Sequence, residues 1–242
     1  MAEIARRPFL TAEWRYLAML NFAVDPTLLR QLVPAGTELD FDRGDTFVSI
    51  VGFLFLNTRV LGCAIPLHRN FEELNLRFYV RRKTADGCRR GVAFVRELVP
   101  RRAIAAIARV FYDEPYVAMP MRHSIVRNSD TLEVSYQWRA NNAWQTLAMT
   151  ASGEPQYAAT GSHEEFITEH YWGYTARRTG TSEYAVEHER WRLWPAATWK
   201  FDADVAALYG AQFVDTLAAK SVSAFIAEGS PVRVNPRNRR LV

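Results

Sequence analysis

From Glu72 to Arg82 the chain alternates without a break: Leu74, Leu76, Phe78 and Val80 are interleaved with Glu73, Asn75, Arg77 and Tyr79. Period-two alternation sends successive side chains to opposite faces, so this segment predicts a strand with one apolar and one polar face. Trp14 to Ala23 alternates more loosely through Tyr16, Leu17, Met19, Leu20 and Phe22 and predicts a first strand. Thr46 to Leu56 is almost continuously apolar and rich in β-branched and aromatic residues, which predicts a central, buried strand. Asp86-Gly87 is turn material leading into a partner strand over Gly91 to Leu98. Tyr116 to Ser124, Thr131 to Arg139 and Ala143 to Thr150, divided by Asn128-Ser129-Asp130 and Asn141-Asn142, predict a meander. Tyr184 to Trp194 and Ser223 to Val234 predict two further strands.

Helices are few and short. Asp25-Pro26 starts one: the aspartate caps it, the proline suits its first position, and Leu28, Leu29 and Leu32 form the apolar stripe. Ile104, Ile107, Ala108 and Phe111 repeat at helical spacing after Pro100. Ser162 caps a helix beginning His163-Glu164-Glu165, and Asp204 to Tyr209 and Ala211 to Ala219 read as helical. No fixed-period repeat and no linker-like stretch interrupts the 242 residues. The fold class expected is therefore α+β, a large antiparallel sheet or barrel with a few short helices, in a single domain over residues 1–242.

Composition narrows the function. Hydrophobic residues at 49% and aromatics at 13% supply a core built on flat side chains. The net charge is +4, but acidic and basic residues are interspersed, so no continuous basic face exists for nucleic acid. No apolar window is long enough to span a bilayer, and no apolar leader follows the charged Arg6-Arg7, so neither membrane nor export is expected. Cys63 and Cys88 are too few for a disulfide framework and fit a reducing cytoplasm. Lysine occurs only at Lys83, Lys200 and Lys220.

Several motifs resemble acetoacetate decarboxylases. Trp14-Arg15-Tyr16 running into Asp25-Pro26 and Val33-Pro34 is similar to that family's opening, and the resemblance places Arg15 on its active-site arginine. Phe71-Glu72-Glu73 resembles the element supplying an active-site glutamate, which nominates Glu73. Glu114-Pro115 matches the end of a family helix, after which decarboxylases place two lysines, one forming the Schiff base. Here Tyr116-Val117 follow, and neither residue can supply a neutral amine. A second family carboxylate is replaced near Ser49. A closer resemblance is to the uncharacterised bacterial YqjF-like group, carried by Val51-Gly52-Phe53-Leu54-Phe55, by residues 68–77 (His68 to Arg77), by Val99-Pro100-Arg101-Arg102-Ala103, by residues 168–174 and by residues 227–232.

On these grounds the expected pocket draws its ligand contacts from Arg15, Asn75, Arg77 and Tyr79, with Glu73, Tyr116 and the aromatic-flanked His170 as catalytic candidates. If the Glu73 strand belongs to a barrel, its polar face lines a pocket; on the outside of a sheet the same residues would simply be solvated. Arg96 and Glu97 read as a structural pair, and Lys200, between Trp199 and Phe201, is the one alternative amine. His163-Glu164-Glu165 and Glu169-His170 lack metal-ligand spacing, so neither a metal nor another cofactor is expected. No nucleophile elbow or phosphate loop occurs. Two readings stand: a binding protein for a small carbonyl or carboxylate ligand without Schiff-base chemistry, and an enzyme using Glu73 as general acid or base. A homo-oligomer is left open.

Overall fold

The computed structural model describes residues 7–106, 114–177 and 180–241. In chain order it comprises β1 (Leu10–Val24), α1 (Pro26–Leu29), β2 (Glu38–Leu39), β3 (Thr46–Val60), β4 (Cys63–Ala64), β5 (Phe71–Thr84), β6 (Gly87–Val99), β7 (Tyr116–Ala118), β8 (Met121–Arg127), β9 (Thr131–Ala140), β10 (Ala143–Ser152), β11 (Gln156–Tyr157), α2 (His163–Thr168), β12 (Trp172–Arg177), β13 (Gly180–His188), β14 (Arg192–Asp202), α3 (Val205–Tyr209), α4 (Val214–Ala218), β15 (Ser223–Val234) and β16 (Asn238–Leu241). Residues 102–106 are helical, and the rest of the helix expected up to Phe111 lies outside the described residues. No described helix is long and apolar enough to cross a membrane.

Local chemistry sets the short helices. Asp25 accepts the Thr27 amide at 2.8 Å with Pro26 in the first turn, and Ser162 accepts the Glu165 amide at 3.2 Å. Two expected strands are each divided. Tyr116 to Ser124 breaks at Met119-Pro120, where the proline has no amide for the ladder, and Tyr184 to Trp194 breaks between His188 and Arg192.

The strand path β13-β12-β6-β5-β3-β1-β15 returns on itself through a β13–β15 pairing, so the long strands form a ring; β14, β10, β9 and β8 extend it as a second layer. Most pairings are antiparallel, but β12 and β7 run parallel to β6. Two cores follow from alternation. Ala18, Leu20, Phe22, Leu74, Leu76 and Phe78 pack against Tyr136, Trp138 and Leu147 of the second layer. Leu17, Met19, Phe53, Phe55, Phe71 and Tyr79 face the ring interior. Both faces of β5 are thus buried, and its polar face is not solvated.

Among the register shifts in the sheet, one in β1 and one in β6 reverse the alternation beside the ring interior. In β1, Arg15 pairs with Leu54 and Ala18 with Gly52, so one extra residue is accommodated around Tyr16, whose φ is 54°. The Tyr136 hydroxyl donates to the Tyr16 carbonyl at 2.8 Å and satisfies the bulged backbone. Trp14 faces the ring interior before the bulge; Leu17 and Met19 face it afterwards. In β6 a matching shift falls opposite Leu76 and Arg77, so Val92 and Phe94 face inward before it and Glu97 and Val99 after it.

Candidate functional site

The ring encloses a cavity of about 180 Å³ whose walls are mostly aromatic and aliphatic, including Trp14, Phe53, Phe55, Phe94 and Trp191. Its polar residues are set by register. Asn75 on β5 lies opposite Glu97 on β6, and Glu97 lies beside Tyr116 on the parallel β7. Glu73 and Arg77 flank Asn75 on the same face of β5, about 7 Å to either side at a rise of roughly 3.3 Å per residue.

The carboxyl end holds Glu73, Glu97 and Glu114, all buried. The Tyr116 hydroxyl donates to Glu73 Oε2 at 2.9 Å, and Asn75 Nδ2 donates to Glu73 Oε1 at 3.3 Å. Glu114 Oε1 accepts the Thr175 hydroxyl at 2.6 Å and the Tyr184 hydroxyl at 2.8 Å. Burial pushes the Glu73 carboxyl up to about 7; the Tyr116 and Asn75 hydrogen bonds oppose this and the Glu114 charge adds to it. Burial likewise raises Glu97 well above the usual carboxylate range, reinforced by Glu114 and Glu73. The Tyr116 phenol is also raised, by burial and then by Glu73 and Glu97, so it remains a hydrogen-bond donor at neutral pH.

Tyr184 reaches Glu114 because its partner across the β12–β13 ladder is Gly173. A Cβ at position 173 would sit 2.1 Å from Tyr184 Cζ. Gly173→Ala is therefore expected to displace the ring and lose both packing and the hydrogen bond. It should destabilise the protein by about 2–3 kcal/mol, more than the 1 kcal/mol or so of Tyr184→Phe. Urea denaturation of both variants checks this, and a wild-type midpoint for Gly173→Ala would contradict it.

At the other end Arg77 donates to the Ile167 carbonyl at 3.1 Å, with its guanidinium 5.5 Å from the Tyr79 ring centroid. Its Nε has no hydrogen-bond partner, and among the described residues no carboxylate pairs with it. His170 groups with Arg77, not with the Glu73–Tyr116 pair. Its Nε2 bonds Asp40 at 3.1 Å, and burial lowers its pKa to about 4, so the imidazole is neutral and Nδ1 is an unpartnered acceptor.

Of the residues singled out from the sequence, Glu73, Asn75, Arg77, Tyr116 and His170 line this one cavity. Tyr79 faces the ring interior beside His170, its ring centroid 4.8 Å from the imidazole, but its hydroxyl bonds Ser49 and it is not part of the cavity lining. Arg15 does not join them: it is partly exposed, bonding Glu13 Oε2 at 2.8 Å and the Gly229 carbonyl. Without the bulge at Tyr16 it would share the inward face of Leu17 and Met19; the extra residue turns it out. The same logic corrects the reading of Arg96 and Glu97 as a structural pair, because the β6 bulge brings Glu97 inside while Arg96 lies towards Tyr209. Lys200 is exposed and 3.5 Å from Asp202, and no lysine is among the described residues lining the cavity. Among the described residues no group of His, Cys, Asp and Glu is placed to hold a metal ion.

The sequence profile of DUF2071, a family of uncharacterized conserved proteins, matches residues 11–231. The chain belongs to this family. YqjF of Bacillus subtilis (strain 168), an uncharacterized protein, is 30% identical over 182 residues, covering 74% of this chain and 73% of YqjF. Solved structures share the architecture. Acetoacetate decarboxylase from Legionella pneumophila superposes with a TM-score of 0.65 at 13% identity, over 97% of this chain and 87% of its own. An acetoacetate decarboxylase-like enzyme from Sphingomonas wittichii RW1 gives 0.67 at 12% identity, over 96% and 92%. The enduracididine biosynthesis enzyme MppR, complexed with pyruvate, gives 0.64 at 11%, over 98% and 92%. This DUF2071 chain therefore has an acetoacetate decarboxylase-like fold, largely β with a few short helices, closed as a ring and not as a regular barrel.

Proposed function

We propose that the ring cavity binds a small carbonyl compound carrying a carboxylate, and that Glu73 moves a proton on it without Schiff-base chemistry. The observation that carries this reading is the Glu73–Tyr116 pair at 2.9 Å inside an apolar cavity. A carboxyl with a pKa of about 7 can give or take a proton near neutral pH. Ionised Glu73 would take the proton from the carbon beside the carbonyl, and the Tyr116 hydroxyl, released from Glu73, would hydrogen-bond the oxygen as it gains charge. Glu73 trades that proton for one from solvent, and its delivery to the carbon completes the exchange. Arg77, with its free Nε, suits the carboxylate. MppR, of the same fold, holds pyruvate, a compound of this class.

Phenylpyruvate is a suitable probe, since its aromatic body matches the cavity walls. It is expected to bind by calorimetry and to exchange its carbon-bound protons with deuterated solvent, at a rate that rises as pH passes through about 7, where Glu73 ionises. Glu73→Gln should slow exchange at least about 100-fold with binding retained. Borohydride should trap no adduct, and Arg15→Ala should behave as wild type. Binding without exchange would favour a binding protein, and an adduct on any lysine would overturn the proposal.

A further inference from the structure

The cavity lining carries buried ionisable groups of both signs that do not pair with one another among the described residues. Glu73 and Glu97 sit at one end, and no cation among the described residues pairs with either. Arg77 stands at the other end, with no carboxylate partner among the described residues. The two acceptors between these ends are also unsatisfied: Asn75 Oδ1 and Glu97 Oε2 are buried and accept no hydrogen bond, though each residue is only 2% exposed. Asn75 is held in this orientation because its Nδ2 donates to Glu73, which leaves Oδ1 as an acceptor facing a donor that the protein does not supply. Asn75 and Glu97 are opposite each other across β5 and β6, so one group can meet both.

We infer that the ligand carries a protonated amine, which seats between Asn75 and Glu97 at the carboxyl end of the cavity while Arg77 holds its carboxylate. This rests only on the reading of the ring cavity as a ligand site, not on the carbonyl chemistry, and names a different class of ligand: a compact amino acid with an apolar side chain. An ammonium has three donors and no acceptor, and matches two orphaned acceptors and a neighbouring carboxylate. A hydroxyl has a single donor and would satisfy only one of the two acceptors. Arg77 is two residues from Asn75 on the same face, roughly 7 Å along the strand, so the ammonium and carboxylate must belong to one short backbone. The Phe71 and Phe94 rings on the same walls favour a cation and an apolar side chain together. The raised Glu97 carboxyl is the state expected while the cation is missing.

Calorimetric titration with L-phenylalanine, 3-phenylpropanoate and 2-phenylethylamine tests this, since the three share one skeleton and differ only in the charged groups. Phenylalanine is expected to bind at least tenfold more tightly than either of the others. Glu97→Gln and, as a second variant, Asn75→Leu should each remove most of that advantage over 3-phenylpropanoate, and Arg77→Met should remove the advantage over 2-phenylethylamine. Arg15→Ala, outside the cavity, should change nothing. If 3-phenylpropanoate binds as tightly as phenylalanine, or if phenylpyruvate binds and phenylalanine does not, the amine site is wrong and the ligand cavity stands. If neither phenylpyruvate nor any of the three binds, both are wrong.

Discussion

At pH 8, Glu73→Gln is expected to raise the thermal midpoint of unfolding by roughly 6–12 °C, while at pH 4 the variant and the wild type should unfold together. The carboxyl ionises at about 7 in the folded chain against 4.5 for the ordinary group. A carboxyl raised on folding contributes fully below the unfolded value, and its contribution is lost as pH rises through the folded one. The loss therefore falls between pH 4.5 and 7, and above that window the fold holds an ionised Glu73 against burial at a cost of about 3 kcal/mol. Glutamine has the same shape, still accepts from Tyr116 and carries no charge to desolvate. Calorimetry at the two pH values checks the claim; an equal gap at both would mean that ionisation of Glu73 is not what destabilises the fold. A site that keeps such a cost in place is arranged for chemistry or for a ligand cation, since stability alone would favour the amide.

Gly229→Ala should be the most damaging single-methyl change in the ring, costing at least about 4 kcal/mol. Its φ is +82°, and a Cβ there would meet the Trp14 backbone carbonyl oxygen at 1.9 Å. That atom belongs to β1 itself, just before the bulge at Tyr16, so relief requires β1 and β15 to separate. Trp14 packs edge-on against Phe53, Phe55 and Trp191, and its displacement would open the cavity wall. Gly36→Ala provides the comparison: its φ is +80°, yet nothing lies within 4 Å of its Cβ, so only the backbone conformation is penalised, by about 1–2 kcal/mol. Equal urea midpoints for the two variants would show that the close approach at Trp14 does not matter.

Much of the architecture is legible in local pattern. The alternation of residues 72–82 identifies β5, Asp25-Pro26 and Ser162 mark helix starts, and Ser223–Val234 is recovered to its ends. These features depend on neighbours a few residues apart. The divisions at Met119-Pro120 and between His188 and Arg192 depend on pairing with distant strands, and the strand at Trp172–Arg177, paired mainly with the adjacent β13, has a weaker local signal. The site divides in the same way. Glu73, Asn75 and Arg77 follow from period two on one strand, whereas Tyr184, Thr175 and Glu114 meet only because β12, β13 and the approach to β7 converge.

What the sequence alone determined is the inventory: a β-rich chain with an acid, an amide and an arginine on one strand face, and a tyrosine and a valine directly after Glu114-Pro115. Which charges enter the cavity was decided by two bulges. The extra residue near Tyr16 sends Arg15 out, and the one in β6 brings Glu97 in place of Arg96. A bulge inserts one residue, and one residue exchanges the two faces of every strand position beyond it, so the sign of the interior is a property of register that local alternation does not encode.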